Sequence, residues 1–150
     1  MNIIPLGTGK CSNFGGPSDT GVGPQEGLSL IEIPDTTEWW FRRIFLNPGL
    51  WDSGKNLARN LNPMAFYLAM RFAYSTFGGV KGEILPGYNR EQVRRGLFIV
   101  QSSHGLIFAQ AADWGPNTDT GRLVDLSPGA CKAIGVTTDD EVMVSFIPPS

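Results

Sequence analysis

The chain has 150 residues and a formal net charge of −2 at neutral pH, with 41% hydrophobic and 17% charged residues. This length suits one domain, and this composition is typical of a folded protein and excludes a disordered one. The near-neutral charge argues against a phosphate-binding surface, so nucleic acid is not an expected partner. The histidine, cysteine and carboxylate residues show no zinc-site spacing, so we expect neither a metal nor a cofactor.

The ends of the sequence bear on its location. The first ten residues lack the basic segment and apolar run of a secretory signal, and no apolar stretch is long enough for a transmembrane helix. We therefore expect cytoplasmic synthesis with no membrane span, and either a virion or the cell wall as the destination. Cys11 and Cys131 lie near opposite ends of the chain. Two buried free thiols are the favoured interpretation, and a disulfide formed in an oxidising compartment is the alternative.

The first half of the chain is rich in turns. The 19 glycines and 11 prolines are scattered rather than periodic, which favours a turn-rich β protein. Residues 10–14 and 28–33 are predicted strands, separated by a glycine-rich loop over 15–27.

Two long insertions are predicted next. Residues 34–63 are rich in tryptophan and phenylalanine and show little regular pattern. Residues 65–74 place apolar side chains at alternate positions, which predicts a strand. Residues 75–96 form the second insertion, with a short helix over 90–95 that Asn89 can cap.

The last third has the clearest pattern. Ser127 is a predicted N-cap followed by proline at the first helical position, and Gly135 ends the short helix that follows. His104 falls in a predicted hairpin turn, where we expect a solvated side chain. Four strands are predicted in this part of the chain: residues 97–101, 106–112, 123–126 and 141–147.

A Gly-Pro followed by Asp-Thr-Gly occurs twice, at residues 16–21 and 115–121. In aspartic proteases each Asp-Thr-Gly follows a stiff apolar strand, because the two aspartates must share a proton at close range. Here both are preceded by turn residues, which argues against a protease. An aspartate that caps backbone N–H groups in a tight turn is the favoured interpretation.

Residues 110–135 read QAADWGPNTDTGRLVDLSPGACKAIG. Their Asp-x-Gly-Pro, Gly-Arg, Val-Asp-Leu-Ser and Ile-Gly elements resemble, in order, the C-terminal signature of double-psi β-barrel domains of the rare lipoprotein A and expansin kind. Residues 10–16 are similar to the opening strand and turn of that family. The resemblance implies a mainly β, six-stranded double-psi β-barrel with one short helix in its C-terminal half. It would span residues 1–150, with insertions at about 34–63 and 75–96. The two repeated turns would then lie in loops related by the barrel's pseudo-twofold axis.

The resemblance also implies a site. It places an acidic residue at Asp113 in an open groove, where a carboxyl can protonate a glycosidic oxygen and then accept a proton from the sugar's own hydroxyl. Asp125 matches a second acidic position, although an aspartate before a helix cap often hydrogen-bonds to backbone. Asp19 could face the groove from the opposite loop.

Other residues are candidates for holding a glycan. We predict that Trp114, Arg122, Thr20, Trp39 and Trp40 contact it. Trp39, Trp40 and Trp51 of the insertion could stack on sugar faces, and Trp114 could desolvate Asp113. The alternative for the tryptophans is packing of the insertion, or an interface with another protein. The arginine that the family carries after its aspartate is Trp114 here, and its histidine motif is missing.

The predicted function is binding of peptidoglycan or another polysaccharide, with cleavage by a lytic-transglycosylase-like mechanism as its enzymatic form. The alternative is a non-catalytic structural or interaction protein, such as a phage virion or tail component, that binds neighbouring subunits through the aromatic insertion.

Overall fold

A computed structural model describes residues 2–19, 61–72, 85, 87–88, 90–116 and 118–150. These residues form six strands, two short α-helices and one turn of 3-10 helix. The strands are β1 (Ile4–Asn13), β2 (Tyr67–Ala69), β3 (Leu97–Gln101), β4 (Leu106–Asp113), β5 (Arg122–Leu126) and β6 (Glu141–Ile147). The helices are α1 (Arg90–Arg95) and α2 (Pro128–Ala133), and the 3-10 turn is Thr118–Thr120. No helix within these ranges has the length and apolar character needed to cross a bilayer.

The six strands close into a barrel in the order β1-β5-β2-β4-β3-β6. Two neighbouring pairs, β1 with β5 and β2 with β4, are parallel, and the other four are antiparallel. The first and last strands pair along most of their length, from Ile4 opposite Phe146 to Lys10 opposite Glu141. Because the barrel is closed, none of these strands leaves a free edge.

The strand order has an internal twofold relation. Replacing each strand by the one three places along the chain reproduces the same cyclic order, read in the opposite direction. It also exchanges the two parallel pairs with each other. The connection from β1 to β2 is therefore the counterpart of the connection from β4 to β5.

The barrel interior holds one hydrophobic core, because alternate side chains of each strand point inward. On β5, Val124 and Leu126 are buried in it, so Asp125 between them points to the outer face. Phe98 and Phe146 meet inside at a ring-centroid distance of 4.9 Å. Cys11 and Cys131 belong to the same core and are free thiols, in agreement with the favoured interpretation.

Both helices pack on the barrel. In α2 the hydroxyl of Ser127 accepts a hydrogen bond from the N–H of Ala130 at 3.1 Å, so this residue is the N-cap that the sequence predicts. The hydroxyl also donates to the carbonyl of Ala65 at 2.6 Å, which ties the cap to the chain entering β2. In α1, Val93 is fully buried in the core.

The mainly β class and the six-stranded barrel are confirmed, while several boundaries differ. The strand predicted over residues 10–14 is the end of a longer strand, β1, that begins at Ile4. The strand predicted over residues 65–74 is only three residues long. Within the predicted insertion 75–96, Leu85 and Val93 lie in the core rather than outside the barrel. The strand predicted over residues 28–33 lies outside the described residues.

Candidate functional site

The described parts of the two repeated turns lie in counterpart connections of the barrel. Gly16–Asp19 follows β1, and Gly115–Gly121 follows β4. Asn13 on β1 is opposite Leu126 on β5, and Ala111 on β4 is opposite Leu68 on β2. Asn13 and Ala111 therefore occupy corresponding positions in the two halves of the barrel. After this position β4 has one extra residue, Ala112, at its register shift. When this residue is left out of the count, the two Gly-Pro pairs occupy corresponding places. The prediction that these turns occupy related loops agrees with this topology.

Asp19 holds its own turn. Its carboxylate accepts a hydrogen bond from the N–H of Gly15 at 2.6 Å, and its N–H donates to the carbonyl of Gly16 at 3.0 Å. Gly15 and Gly16 both have positive φ, and a Cβ on Gly15 would overlap the Tyr67 hydroxyl. The turn-capping interpretation of Asp19 is therefore correct, and it fixes where the carboxylate sits.

A row of outward-facing residues crosses four neighbouring strands. Ser12 on β1 is in register with Asp125 on β5, and Asp125 with Ala69 on β2. Ala69 is in register in turn with Asp113 on β4. Ala69 therefore lies between the two carboxylates in the sheet, and it is buried, with an exposed fraction of 2%. We refer to Ser12, Asp125, Ala69 and Asp113 as the acidic row.

The charges around Asp125 change its proton affinity. Burial raises its pKa from 3.8 to about 6, and the negative charges of Asp113 and Asp19 add to the increase. Arg122 and Arg71 act in the opposite direction. The structure therefore brings all three predicted carboxylates, Asp19, Asp113 and Asp125, into electrostatic contact.

The alternative considered for Asp125 is a hydrogen bond to backbone before the helix cap. Among the described residues Asp125 does not make this bond. Within the described ranges no backbone N–H donates to this carboxylate, and its pKa is set by burial and by neighbouring charges. Asp113 differs, since its carboxylate accepts from the N–H of Trp114 at 2.7 Å.

Trp114 and Arg122 are both engaged with protein groups. The indole N–H of Trp114 donates to the carbonyl of Phe72 at 3.0 Å, and the ring packs against the core. The guanidinium of Arg122 pairs with Asp139 at 2.9 Å. These contacts position both side chains beside the acidic row, and their predicted role in binding sugar stays a prediction.

The predicted glycan contacts Thr20, Trp39 and Trp40 lie outside the described residues. His104 is exposed in the β3–β4 turn, as the sequence predicts. It lines an open groove of about 470 Å³ together with residues of the α2–β6 loop, and none of the three predicted aspartates lines that groove. Among the described residues no three histidine, cysteine or carboxylate side chains are grouped to hold a metal ion.

Sequence reasoning missed Arg71. This side chain is only 8% exposed, and its Nη1 donates to the carbonyls of Pro116 at 3.0 Å and Arg122 at 2.9 Å. It lies within the apolar run of residues 65–74, where a single charge is typical of the solvent-facing position of a strand. Its partners are backbone groups distant in sequence, so no local pattern identifies it.

No protein-family model matches the chain, and a comparison with curated proteins finds no match either. The resemblance to rare lipoprotein A and expansins therefore rests on sequence motifs, those of residues 110–135 and, more loosely, of residues 10–16.

Proposed function

We propose that the protein binds a cell-wall glycan such as peptidoglycan across the acidic row and cleaves it by a lytic-transglycosylase-like mechanism. The observation that carries the proposal is the register of Asp113 and Asp125 on either side of Ala69, with Asp19 close enough to raise the pKa of Asp125. Asp113 and Asp125 stand, in order, within the motifs of residues 110–135 that resemble the double-psi family. The twofold strand order is consistent with that type of barrel.

The chemistry divides between two carboxyl groups. The sequence predicts Asp113 as general acid and base, and the environment of Asp125 is that of a proton donor, because its pKa lies near 6. In the proposed step Asp125 gives its proton to the glycosidic oxygen, and the bonding electrons leave with that oxygen. Asp113, acting as a carboxylate, stabilises the positive charge that develops on the sugar ring. The Asp125 carboxylate then takes a proton from a hydroxyl of the same sugar, which closes an anhydro ring.

The test is incubation of the protein with purified peptidoglycan, followed by analysis for anhydro-muropeptides. Asp125→Asn should lower the rate by about 100-fold or more, the size expected for loss of a general acid. Asp113→Asn should also lower the rate, and its melting temperature should stay close to that of the wild type, since the amide oxygen can still accept from Trp114. It should also move the alkaline limb of the pH–rate profile to lower pH, because a negative charge next to Asp125 is lost.

Asp119→Asn is the matched control. Asp119 is exposed in the same β4–β5 connection and is not part of the acidic row, so its substitution should leave the rate unchanged. A wild-type protein that releases no anhydro products would contradict the catalytic form of the proposal. If it still sediments with peptidoglycan, the acidic row is a binding site only.

A second candidate is a structural or interaction protein, favoured by the apolar outer face of β3, β4 and β6. Four large side chains on these strands are strongly exposed: Leu97 at 39%, Leu106 at 49%, Phe108 at 54% and Met143 at 49%. Ile99 lies between them, in register with Phe108. Contiguous exposed apolar surface of this kind is typical of protein interfaces. A protein that neither binds nor cleaves peptidoglycan would support this candidate.

A further inference from the structure

The three residues after β2, Met70, Arg71 and Phe72, each hydrogen-bond to the turn that carries Asp113. The N–H of Met70 donates to the carbonyl of Asp113 at 3.2 Å, and the N–H of Gly115 donates to the carbonyl of Met70 at 3.3 Å. The Phe72 carbonyl accepts from the indole of Trp114 at 3.0 Å. Every residue of this short segment therefore holds a different point of the 113–116 turn, and Arg71 holds Pro116.

Arg71 also connects the two ends of the β4–β5 connection. One guanidinium nitrogen bridges the carbonyl of Pro116, at the start of the connection, and the carbonyl of Arg122, at its end. Asp113 precedes the first contact and Asp125 follows the second. Arg71 thus ties the turn after Asp113 to the first residue of β5, while the register of both carboxylates with Ala69 sets their separation across the sheet.

The burial of Arg71 gives this bridge an electrostatic role. Placing a guanidinium in a site with 8% exposure is costly unless the charge is compensated. The compensation comes from the two carbonyls and from the nearby Asp125. The other groups that act on Asp125 are Arg122 on its own strand, Asp113 on β4 and Asp19 in the β1–β2 connection. Arg122 is exposed on one side and paired with Asp139, so Arg71 is the buried cation of the site.

We propose that Arg71 is the positioning residue of the acidic row: it fixes the turn of Asp113 against the first residue of the strand that carries Asp125, and it places a buried positive charge near Asp125. This inference rests on the proposed function only for its consequences on rate. Its structural and electrostatic consequences can be measured whether or not the protein is an enzyme.

The experiment compares Arg71→Met and Arg71→Lys with the wild type by NMR. The titration midpoints of the Asp113 and Asp125 carboxyls and the exchange rate of the Gly115 amide are measured. Arg71→Met removes the buried charge, so the Asp125 midpoint should rise by about half a unit or more. Arg71→Lys keeps the charge, but its shorter and more flexible chain does not hold a nitrogen in the fixed position of Nη1 between the two carbonyls. The Asp125 midpoint should therefore change little, while Gly115 exchanges about tenfold faster. The control is Arg95→Met, an exposed charge on α1 that should change neither quantity.

Each outcome decides the inference. A folded Arg71→Met variant with the wild-type midpoint and exchange rate overturns it. If Arg71→Met does not fold, Arg71→Lys decides, and wild-type exchange at Gly115 in that variant overturns it as well. If the wild type cleaves peptidoglycan, Arg71→Lys should lower kcat with little change in KM. If the wild type is inert, the proposed function fails, and the NMR measurements still test the positioning role.

Discussion

At the scale of single residues, the pKa of Asp125 makes the stability of the folded state depend on pH. An unfolded aspartate loses its proton near pH 3.8, whereas in the fold burial and the charges of Asp113 and Asp19 raise the pKa to about 6. The folded state therefore binds more protons than the unfolded state between these values. Its stability falls as the pH rises through this window, by at most about 3 kcal/mol.

Asp125→Asn should remove that penalty. The amide is neutral at every pH, so the variant should be more stable than the wild type at about pH 8 and similar to it at about pH 4. Thermal melts followed by circular dichroism at both pH values measure the difference. Asp119→Asn serves as the exposed control and should keep the wild-type pH dependence. If Asp125→Asn melts below the wild type at alkaline pH, the carboxylate is stabilising and its environment has been misread.

Asp113, Asp125 and Asp19 can be named as site candidates from the sequence because they stand in its ordered or recurring motifs, although Asp19 also caps its own turn. Arg71 cannot be named in this way. It is a single charge within an apolar run, and its partners are the carbonyls of Pro116 and Arg122, about fifty residues away. A contact between a side chain and distant backbone leaves no pattern in the local sequence.

At the scale of elements, Ser127 does more than cap a helix. Its hydroxyl accepts from Ala130 and donates to the carbonyl of Ala65, and the residue is fully buried. Ser127→Ala removes the cap, which costs about 1 kcal/mol, and leaves a carbonyl without its donor, which costs about 1–3 kcal/mol more.

We therefore expect a total loss of about 2–4 kcal/mol for Ser127→Ala, measured by urea unfolding. Ser103→Ala, at an exposed position of the β3–β4 turn, should change stability by less than about 0.5 kcal/mol. A loss near 1 kcal/mol for Ser127→Ala would mean that the bond to Ala65 contributes nothing.

The strand boundaries that differ from the sequence prediction have physical causes. The start of β1 contains Pro5, Gly7 and Gly9, which read as loop residues. Gly7 has a φ of 124° at a register shift, and a Cβ on Gly9 would come within 2.8 Å of the Leu123 side chain. Glycine is needed there because of a bulge and a neighbouring strand, which a local pattern does not reveal. β2 is short because the chain after Ala69 bonds to the 113–116 turn instead of continuing the ladder.

At the scale of the whole molecule, the twofold relation explains why a motif recurs about a hundred residues apart. Each half of the barrel contributes a first strand, a turn with a Gly-Pro pair and a short second strand. The short strand of each half is parallel to the first strand of the other half. The two halves are not separate units, because the strands of one alternate with strands of the other around the barrel. The ends of the chain therefore meet in the sheet, where β6 lies between β1 and β3.

This arrangement predicts that β6 is indispensable. Val142, Val144 and Phe146 are buried in the core, and the strand pairs with both β1 and β3. A chain that ends at Asp140 would lose these side chains and expose two strand edges, so it should show no cooperative thermal transition by circular dichroism. A chain that ends at Ile147 loses only residues outside the strand and should melt within a few degrees of the full chain. If the chain ending at Asp140 still unfolds cooperatively, the remaining strands form a stable core on their own and barrel closure is not required for folding.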